Sequence, residues 1–224
     1  MTYLLAIDQG TTSTRCVIYD EGLNIIKSEQ EEYPLLYPVD GWVEVDPNKL
    51  LESVYNSLDP ILASSYDIKC VGITNQRETT LVWDSDSGIP IYNGIVWQDR
   101  RTADYCAALK KQNLEPIINK KTGLLLDPYF SATKISWILD NVEGAREKAL
   151  AGNLRFGTVD TFLLWHLSDG RVHKTDVTNA SRTNIFNIHS MEWDQELLDI
   201  FNVPASMLPE AVSYTHLRAH ETQS

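Results

Sequence analysis

The first 75 residues contain an order of segments that few α/β folds accommodate. Two short apolar runs, Tyr3 to Ile7 and Cys16 to Tyr19, flank the turn-rich string DQGTTSTR, and a longer, more polar run follows from Asn24 to Tyr33. Short apolar runs separated by glycine and hydroxyl residues are typical of strands joined by turns. We therefore expect an antiparallel meander whose first hairpin carries a functional loop at its tip.

A helix and a further strand follow the meander. Pro47 after Asp46 suits a capped helix start, and the following apolar residues recur at helical spacing: Leu50, Leu51, Val54, Leu58, Ile61 and Leu62. Pro60 predicts a kink or a break in that helix. A β-rich run then covers Ile68 to Ile73. This order predicts an α/β protein with a ribonuclease-H-like fold, in which helices flank a mixed sheet.

The remaining chain continues the α/β pattern without an internal repeat or a low-complexity linker. With 224 residues and 43% hydrophobic side chains, it is long enough to bury a core. The predicted strands are Leu81 to Trp83 and Leu154 to Thr158, and the predicted helices are Arg101 to Lys111, Ala132 to Asn141, Asp160 to Leu167 and Asp194 to Phe201.

Charge narrows the functional classes. With 31 acidic and 19 basic side chains the formal net charge is -12, which disfavours general binding to nucleic acids or acidic membranes. No apolar run reaches the roughly 18 residues of a membrane span, and the N-terminal string MTYLLAIDQG lacks a signal-peptide pattern. We therefore expect a cytoplasmic protein. The three cysteines, Cys16, Cys70 and Cys106, form no zinc or disulfide motif, so we expect them to be reduced thiols.

The C-terminal segment departs from this pattern. The string VSYTHLRAHETQS, from Val212 to Ser224, has no helical or strand periodicity. His216 and His220 have the spacing of a metal pair on a helix. The whole string, however, resembles the translation of an oligonucleotide adapter from a transposon-based sequencing library. We therefore expect residues 1–211 to be one domain, residues 212–224 to be foreign to it, and a C-terminal domain to be missing.

The string DQGTTSTR offers groups that hold phosphate. Its glycine permits close approach of the backbone to a ligand, and the hydroxyls of Thr11, Thr12 and Ser13 add to the loop N–H groups. Asp8 could anchor Mg²⁺ through water, and Arg15 could neutralise a transferring phosphoryl group. A threonine-rich β-turn without a ligand is the alternative. The string lacks the Gly-Lys-Ser/Thr ending of a Walker P-loop.

A second polar string, GITNQRETT, follows the run at Ile68 to Ile73. Arg77 and Glu78 are adjacent in it, so in an extended strand their side chains would point to opposite faces. Both face one pocket only if the backbone bends there. A guanidinium beside a carboxylate offers donors and acceptors to the hydroxyls of a polyol. A surface ion pair is the alternative.

Two aromatic residues could complete such a pocket. Trp97 lies in IVWQDRR and Tyr129 in DPYFSATK. An indole face can pack against the C–H side of a polyol, and a phenol can hydrogen-bond to it. Burial in the core is the alternative for both rings. Further polar residues could either cap helices or line a cleft: Asp160, Thr161, Asp176 and Arg182.

Taken together, the polar strings resemble those of the glycerol kinases in order and spacing. The matching strings are DQGTTSTR, GWVEVDP, GITNQRETT, NGIVWQDRRTA, TGLLLDPYFSATK, FGTVDTFLLW and TNASRTNIFNIH. The resemblance extends from Tyr3 to Glu210 and to the wider FGGY carbohydrate kinases, whose fold is shared with actin, hexokinase and chaperone ATPases. NQRET separates glycerol kinases from relatives that act on xylulose, gluconate or fuculose.

The resemblance implies a reaction and a role for each candidate residue. The reaction is transfer of the γ-phosphoryl group of ATP to a terminal hydroxyl of glycerol, which gives sn-glycerol 3-phosphate. The implied nucleotide-binding residues are Thr11, Thr12, Ser13 and Arg15, with Asp8 near Mg²⁺, and the implied glycerol-binding residues are Arg77, Glu78, Trp97 and Tyr129.

The chain departs from the family pattern after Glu210. Family members carry the general-base aspartate and the glycine-rich turn under the adenosine further along. We therefore expect no catalytic base in this chain and no useful turnover by it alone. The resemblance implies that the complete protein is a homo-oligomer that uses ATP and Mg²⁺. The alternatives are a kinase of another polyol or sugar, and a catalytically silent polyol-binding domain.

Overall fold

A computed structural model describes residues 2–213 of the chain. Its strands are β1 (Thr2–Gln9), β2 (Ser13–Tyr19), β3 (Ile25–Glu32), β4 (Leu35–Leu36), β5 (Glu44–Val45), β6 (Asp67–Asn75), β7 (Leu81–Asp84), β8 (Gly94–Ile95), β9 (Leu154–Gly157), β10 (Lys174–Asp176), β11 (Phe186–Asn187), β12 (Glu192–Trp193) and β13 (Glu210–Val212). Its helices are α1 (Pro47–Leu62), α2 (Ala103–Lys111), α3 (Glu115–Thr122), α4 (Ser131–Asn141), α5 (Ala145–Leu150), α6 (Val159–Leu167), α7 (Val177–Ala180) and α8 (Gln195–Phe201), with a 3₁₀ turn at Ala205–Met207.

The largest sheet has the order β3-β2-β1-β6. β1 and β2 are antiparallel, with Gln9 opposite Thr14 next to the connecting turn, and β6 runs parallel to β1. A parallel pair needs a crossover connection, and α1 supplies it by packing on β2 and β3. The predicted meander, helix and following strand of a ribonuclease-H-like α/β fold are therefore confirmed.

Helix α1 begins where the sequence predicts. The carboxylate of Asp46 accepts a hydrogen bond of 2.8 Å from the N–H of Asn48 and so caps the helix. The predicted break at Pro60 is wrong, because the helix continues through Pro60 to Leu62. Pro60 lies in the last turn, so its missing N–H removes one helical hydrogen bond and few residues follow to be displaced.

The core consists of two apolar clusters that meet at β7. One cluster lies between the largest sheet and helices α1 and α6 and contains Ile7 and Trp83. The other lies mainly among helices α2 to α5 and α8 and contains Val82, Phe156 and Phe201. Neighbouring residues of a strand point to opposite faces, so Val82 and Trp83 join the two clusters. This packing fixes the sheet relative to the helices that follow it.

One long edge of the largest sheet is unpaired among the described residues. β6 is an end strand with most of its side chains exposed. Val71 is 51% exposed, and a side chain at Gly72 would meet no atom within 4 Å. This edge therefore presents unpaired backbone groups and apolar surface to solvent.

At the other end of the described residues, β13 pairs in parallel with β10. Val212 lies opposite Asp176, so this strand includes the first residue of the segment that we expected to be foreign to the domain. The histidine pair considered above, His216 and His220, lies outside the described residues.

The described cysteines are free thiols, with Cys16 and Cys106 buried and Cys70 exposed. Burial raises the pKa of Cys16 and of Cys106 to about 11, so both side chains are protonated at neutral pH. In residues 2–213 no helix combines the length and the apolar character that crossing a bilayer requires.

Candidate functional site

The turn between β1 and β2 presents unpaired backbone donors. The N–H of Gly10 donates to the carbonyl of Ser13 at 2.9 Å and closes the turn. Within residues 2–213, the N–H groups of Thr11 and Thr12 have no acceptor. A Cβ at Gly10 would lie 3.2 Å from the Ser13 carbonyl oxygen, so glycine suits this tight turn. Free N–H groups in such a loop are suitable donors to phosphate oxygens.

Asp8 and Arg15 lie opposite each other on an exposed face of this hairpin. Directly opposed side chains of an antiparallel pair are neighbours. Arg15 donates to Oε1 of Gln30 from Nε at 3.1 Å and from Nη2 at 2.8 Å. The carboxylate of Asp8 has no hydrogen-bond or ion-pair partner in residues 2–213. A single free carboxylate fits Mg²⁺ that takes most ligands from phosphate and water.

Glu78 lies at the centre of a buried polar cluster. The chain turns at residues 77–78, which is the bend that the sequence required. Glu78 is 4% exposed, and its Oε1 accepts a hydrogen bond of 2.7 Å from Nε of Arg182. Arg77, at the same turn, is exposed and has no ion-pair partner within the described range. The alternative of a surface ion pair between Arg77 and Glu78 is therefore wrong.

Trp97 and Tyr129 meet beside this ion pair. Their ring centroids are 5.6 Å apart, and the Arg182 guanidinium carbon lies 5.9 Å from the Tyr129 ring centroid. Burial raises the pKa of Tyr129, the Glu78 carboxylate raises it further, and Arg182 opposes both effects. The phenol therefore stays protonated at neutral pH. Both rings are half-buried, unlike core rings such as Trp83.

Two sets of hydrogen bonds join the hairpin loop to the Glu78 cluster. The indole N–H of Trp97 donates to the hydroxyl of Thr11 at 3.1 Å. The amide of Gln76 donates to the Gly10 carbonyl at 3.2 Å and to the Tyr33 hydroxyl at 3.3 Å. A loop suited to phosphate and a cluster suited to hydroxyl groups are therefore adjacent.

Four polar residues could, from the sequence, either cap a helix or line a cleft, and the structure places them differently. Arg182 lines the cluster through Glu78, whereas Asp176 caps α7 by accepting from backbone N–H groups. Asp160 is buried at the start of α6, where the Thr175 hydroxyl donates to it at 2.7 Å. Burial raises the pKa of Asp160 to about 6. Thr161 is buried against Gly157.

Sequence reasoning missed a buried lysine that contacts the cluster. Lys134, on α4, is fully buried, and its Nζ donates to the carbonyl oxygens of Glu78 at 3.0 Å and Tyr129 at 2.7 Å. Its place at the end of the DPYFSATK string was the only signal, because nothing local distinguishes a buried lysine from an exposed one.

Comparison with known proteins assigns the chain to a family. The family model described as "FGGY family of carbohydrate kinases, N-terminal domain" matches residues 3–224. The chain belongs to this family. It is 58% identical over 215 residues to the glycerol kinase of Ectopseudomonas mendocina, a match that covers 94% of this chain and 43% of the relative. The FGGY chain is also 55% identical over 212 residues to the glycerol kinase of Shewanella frigidimarina, covering 93% of this chain and 43% of that protein.

Solved structures of FGGY kinases share the fold. The Plasmodium falciparum glycerol kinase with ADP matches with a TM-score of 0.91 and 38% identity, over 94% of this chain and 43% of that one. The Lactobacillus acidophilus gluconate kinase matches with a TM-score of 0.85 and 25% identity, over 94% and 42%. The chain therefore spans less than half the length of the relatives it matches.

Proposed function

We propose that this chain supplies the acceptor pocket and the phosphate loop of an ATP-dependent glycerol kinase, which forms sn-glycerol 3-phosphate. The observation that carries the proposal is the hydrogen bond between Trp97 and Thr11, because it joins the hydroxyl-binding cluster to the phosphate loop. The 58% identity to a glycerol kinase supports glycerol as the acceptor.

On the acceptor side, the chain offers complementary groups for a triol. The Glu78 carboxylate accepts a hydrogen bond from a glycerol hydroxyl, and the Arg77 guanidinium and the Tyr129 phenol donate hydrogen bonds to glycerol oxygens. The Trp97 ring packs against the carbon side of the ligand. Arg182 orients Glu78 through their 2.7 Å contact. Because a hydroxyl both donates and accepts hydrogen bonds, a pocket that contains donor and acceptor groups together favours a neutral polyol.

On the nucleotide side, the free N–H groups of Thr11 and Thr12 and the hydroxyl of Ser13 hold phosphate oxygens of ATP, and Arg15 neutralises their charge. Asp8 holds Mg²⁺ through water. The ion, when bound, supplies charge neutralisation on the phosphate oxygens. Phosphoryl transfer depends mainly on positioning and charge neutralisation, so placing the loop against the pocket is the chain's contribution.

Two broader properties complete the proposal. Consumption of ATP and the unpaired thiols of Cys16 and Cys106 support a cytoplasmic protein. The resemblance to glycerol kinases supports a homo-oligomer for the complete protein, and the net charge of -12 supports small-molecule rather than nucleic-acid partners.

The test uses a hybrid enzyme, in which residues 1–211 of this chain precede the remaining segment of the Ectopseudomonas mendocina glycerol kinase. We expect ADP release that depends on glycerol and falls sharply in a Glu78→Gln variant. Faster turnover with a pentulose or gluconate than with glycerol would show a different acceptor. A folded hybrid that binds glycerol and releases no ADP would support the silent polyol-binding domain instead.

A further inference from the structure

Lys134 is a buried amine that the proposed glycerol and nucleotide contacts do not use. Its side chain is 0% exposed, although lysine is rarely buried without partners. Its Nζ donates to the carbonyl of Glu78 at 3.0 Å and to the carbonyl of Tyr129 at 2.7 Å. One carbonyl belongs to the turn after β6 and the other to the segment before α4. A single side-chain nitrogen therefore joins two segments that are distant in sequence.

We propose that Lys134 is a positioning residue that clamps the Glu78 and Tyr129 segments together and thereby sets the affinity of the pocket for its polyol. A bond to a backbone carbonyl fixes the position of the main chain, and the side chains of Glu78 and Tyr129 follow from it. The statement about affinity rests on the proposed function, whereas the clamp between the two segments is a property of this chain alone.

The electrostatic surroundings of Lys134 do not release the clamp near neutral pH. The pKa of Lys134 is lowered to about 7, because burial, assisted by the charge of Arg101, outweighs the carboxylates of Asp99, Glu78 and Asp127, which raise it. A neutral amine keeps two N–H donors and an ammonium group has three. Both forms can therefore bond the two carbonyls, and the clamp holds on either side of pH 7.

Ser136, also on α4, provides a matched control. It is 3% exposed, and its hydroxyl bonds to the carbonyls of Ala132, in the same helix, and Phe201, at the end of α8. Neither partner belongs to the turn at residues 77–78 or to the Tyr129 segment. Removing the Ser136 hydroxyl therefore takes a buried hydrogen bond from α4 without touching the proposed clamp.

The first test measures amide hydrogen exchange in the 224-residue chain. Lys134→Met keeps the length of the side chain and removes its donors. We expect exchange to accelerate by about tenfold in peptides that cover residues 76–80 and 127–130, with little change elsewhere. The indole N–H resonance of Trp97 should shift as well, because its ring packs on Tyr129. Ser136→Ala should leave both peptides and the resonance unchanged.

Two outcomes of this experiment would overturn the clamp. One is unchanged exchange in both peptides of Lys134→Met, and the other is equal acceleration over the whole chain, which would mean a general loss of stability. If Lys134→Met does not fold, Lys134→Gln, which keeps an amide donor, takes its place. That variant should accelerate the same two peptides because its shorter side chain cannot reach both carbonyls.

The second test measures kinetics in the hybrid enzyme. Lys134→Met should raise KM for glycerol by about tenfold and KM for ATP by much less, because the clamp acts directly on the acceptor side and reaches the phosphate loop only through the bond between Trp97 and Thr11. Equal changes in both KM values, or no change in either, would contradict the proposal. A wild-type hybrid without glycerol turnover would overturn the proposed function, and hydrogen exchange would still decide the clamp.

Discussion

The indole N–H of Trp97 donates to the hydroxyl of Thr11, 86 residues earlier in the chain, at 3.1 Å. One side chain thus forms a wall of the proposed glycerol pocket and supports the loop proposed to hold phosphate. A ligand that orders one of these residues restrains the other. We therefore expect the bond to couple the binding of the two substrates.

Removing this bond should affect both substrates. In the hybrid enzyme, Trp97→Phe keeps an aromatic wall but loses the N–H donor, and Thr11→Val loses the acceptor. Each variant should raise both KM values by several-fold, since one hydrogen bond contributes about 1 kcal/mol. In the double variant, the increase in KM, expressed as free energy, should be smaller than the sum of the increases in the two single variants. Strictly additive effects would mean that Trp97 and Thr11 act independently and that their bond does not contribute to substrate binding.

The Arg182–Glu78 pair should matter far more than an exposed ion pair. Arg182→Met leaves the buried Glu78 carboxylate without its partner, so we expect kcat/KM for glycerol in the hybrid to fall by about 100-fold. Lys49→Met is the control, because Lys49 pairs with Glu52 at the surface, where both side chains are more than half exposed. That variant should be nearly neutral. Similar losses in the two variants would contradict the assigned role of Arg182.

The acid stability of the chain should depend on Asp160 and His173 with opposite signs. Burial raises the pKa of Asp160 from 3.8 to about 6, so between these pH values the folded state binds more protons than the unfolded state. The contribution of Asp160 to the free energy of unfolding therefore falls as pH rises from about 4 to 6. Burial lowers the pKa of His173 from 6.5 to about 4, so in this range the unfolded state binds more protons than the folded state. The contribution of His173 to the free energy of unfolding therefore rises with pH over nearly the same range.

Substitution separates the two contributions. Asp160→Asn should make unfolding stability rise more steeply between about pH 4 and 6, because the opposing carboxyl is gone, and His173→Asn should make the rise shallower or reverse it. Urea midpoints of the 224-residue chain over this range provide the measurement. Identical slopes in the wild type and both variants would show that neither group titrates as described.

We also expect the 224-residue chain to transfer no phosphoryl group to glycerol at a useful rate. Transfer needs a carboxylate that takes the proton of the reacting hydroxyl. Within residues 2–213 the two carboxylates of the site have other proposed roles, because Glu78 pairs with Arg182 and binds a glycerol hydroxyl, and Asp8 holds Mg²⁺ through water. ADP release by the chain, with and without glycerol, checks this. Turnover within about tenfold of the hybrid would show that these residues suffice for catalysis.

Much of the fold could be predicted because its signals are local. The hairpin from Thr2 to Tyr19 and helix α1 follow from apolar spacing and a turn-rich string. The break at Pro60 was predicted wrongly because spacing alone does not show how near a proline lies to the end of its helix. Short elements such as α7 gave no periodic signal over so few residues.

The site was predicted only in part, for a related reason. The strings contain Glu78, Trp97 and Tyr129, but sequence spacing could not reveal that Glu78 pairs with Arg182, 104 residues away. Lys134 was missed because a lysine is ordinarily read as a surface residue. Its burial depends on two carbonyls whose positions only the folded chain defines.

Within residues 2–213 the outer edge of β6 has no partner strand, and this has a practical consequence for anyone who purifies the chain. An end strand with free backbone groups and an apolar residue such as Val71 can add a strand from a neighbouring copy. Concentrated samples should therefore form soluble oligomers or precipitate. A charged side chain on the outer surface, as in Val71→Lys, is the simplest way to obtain material that stays dispersed for spectroscopy.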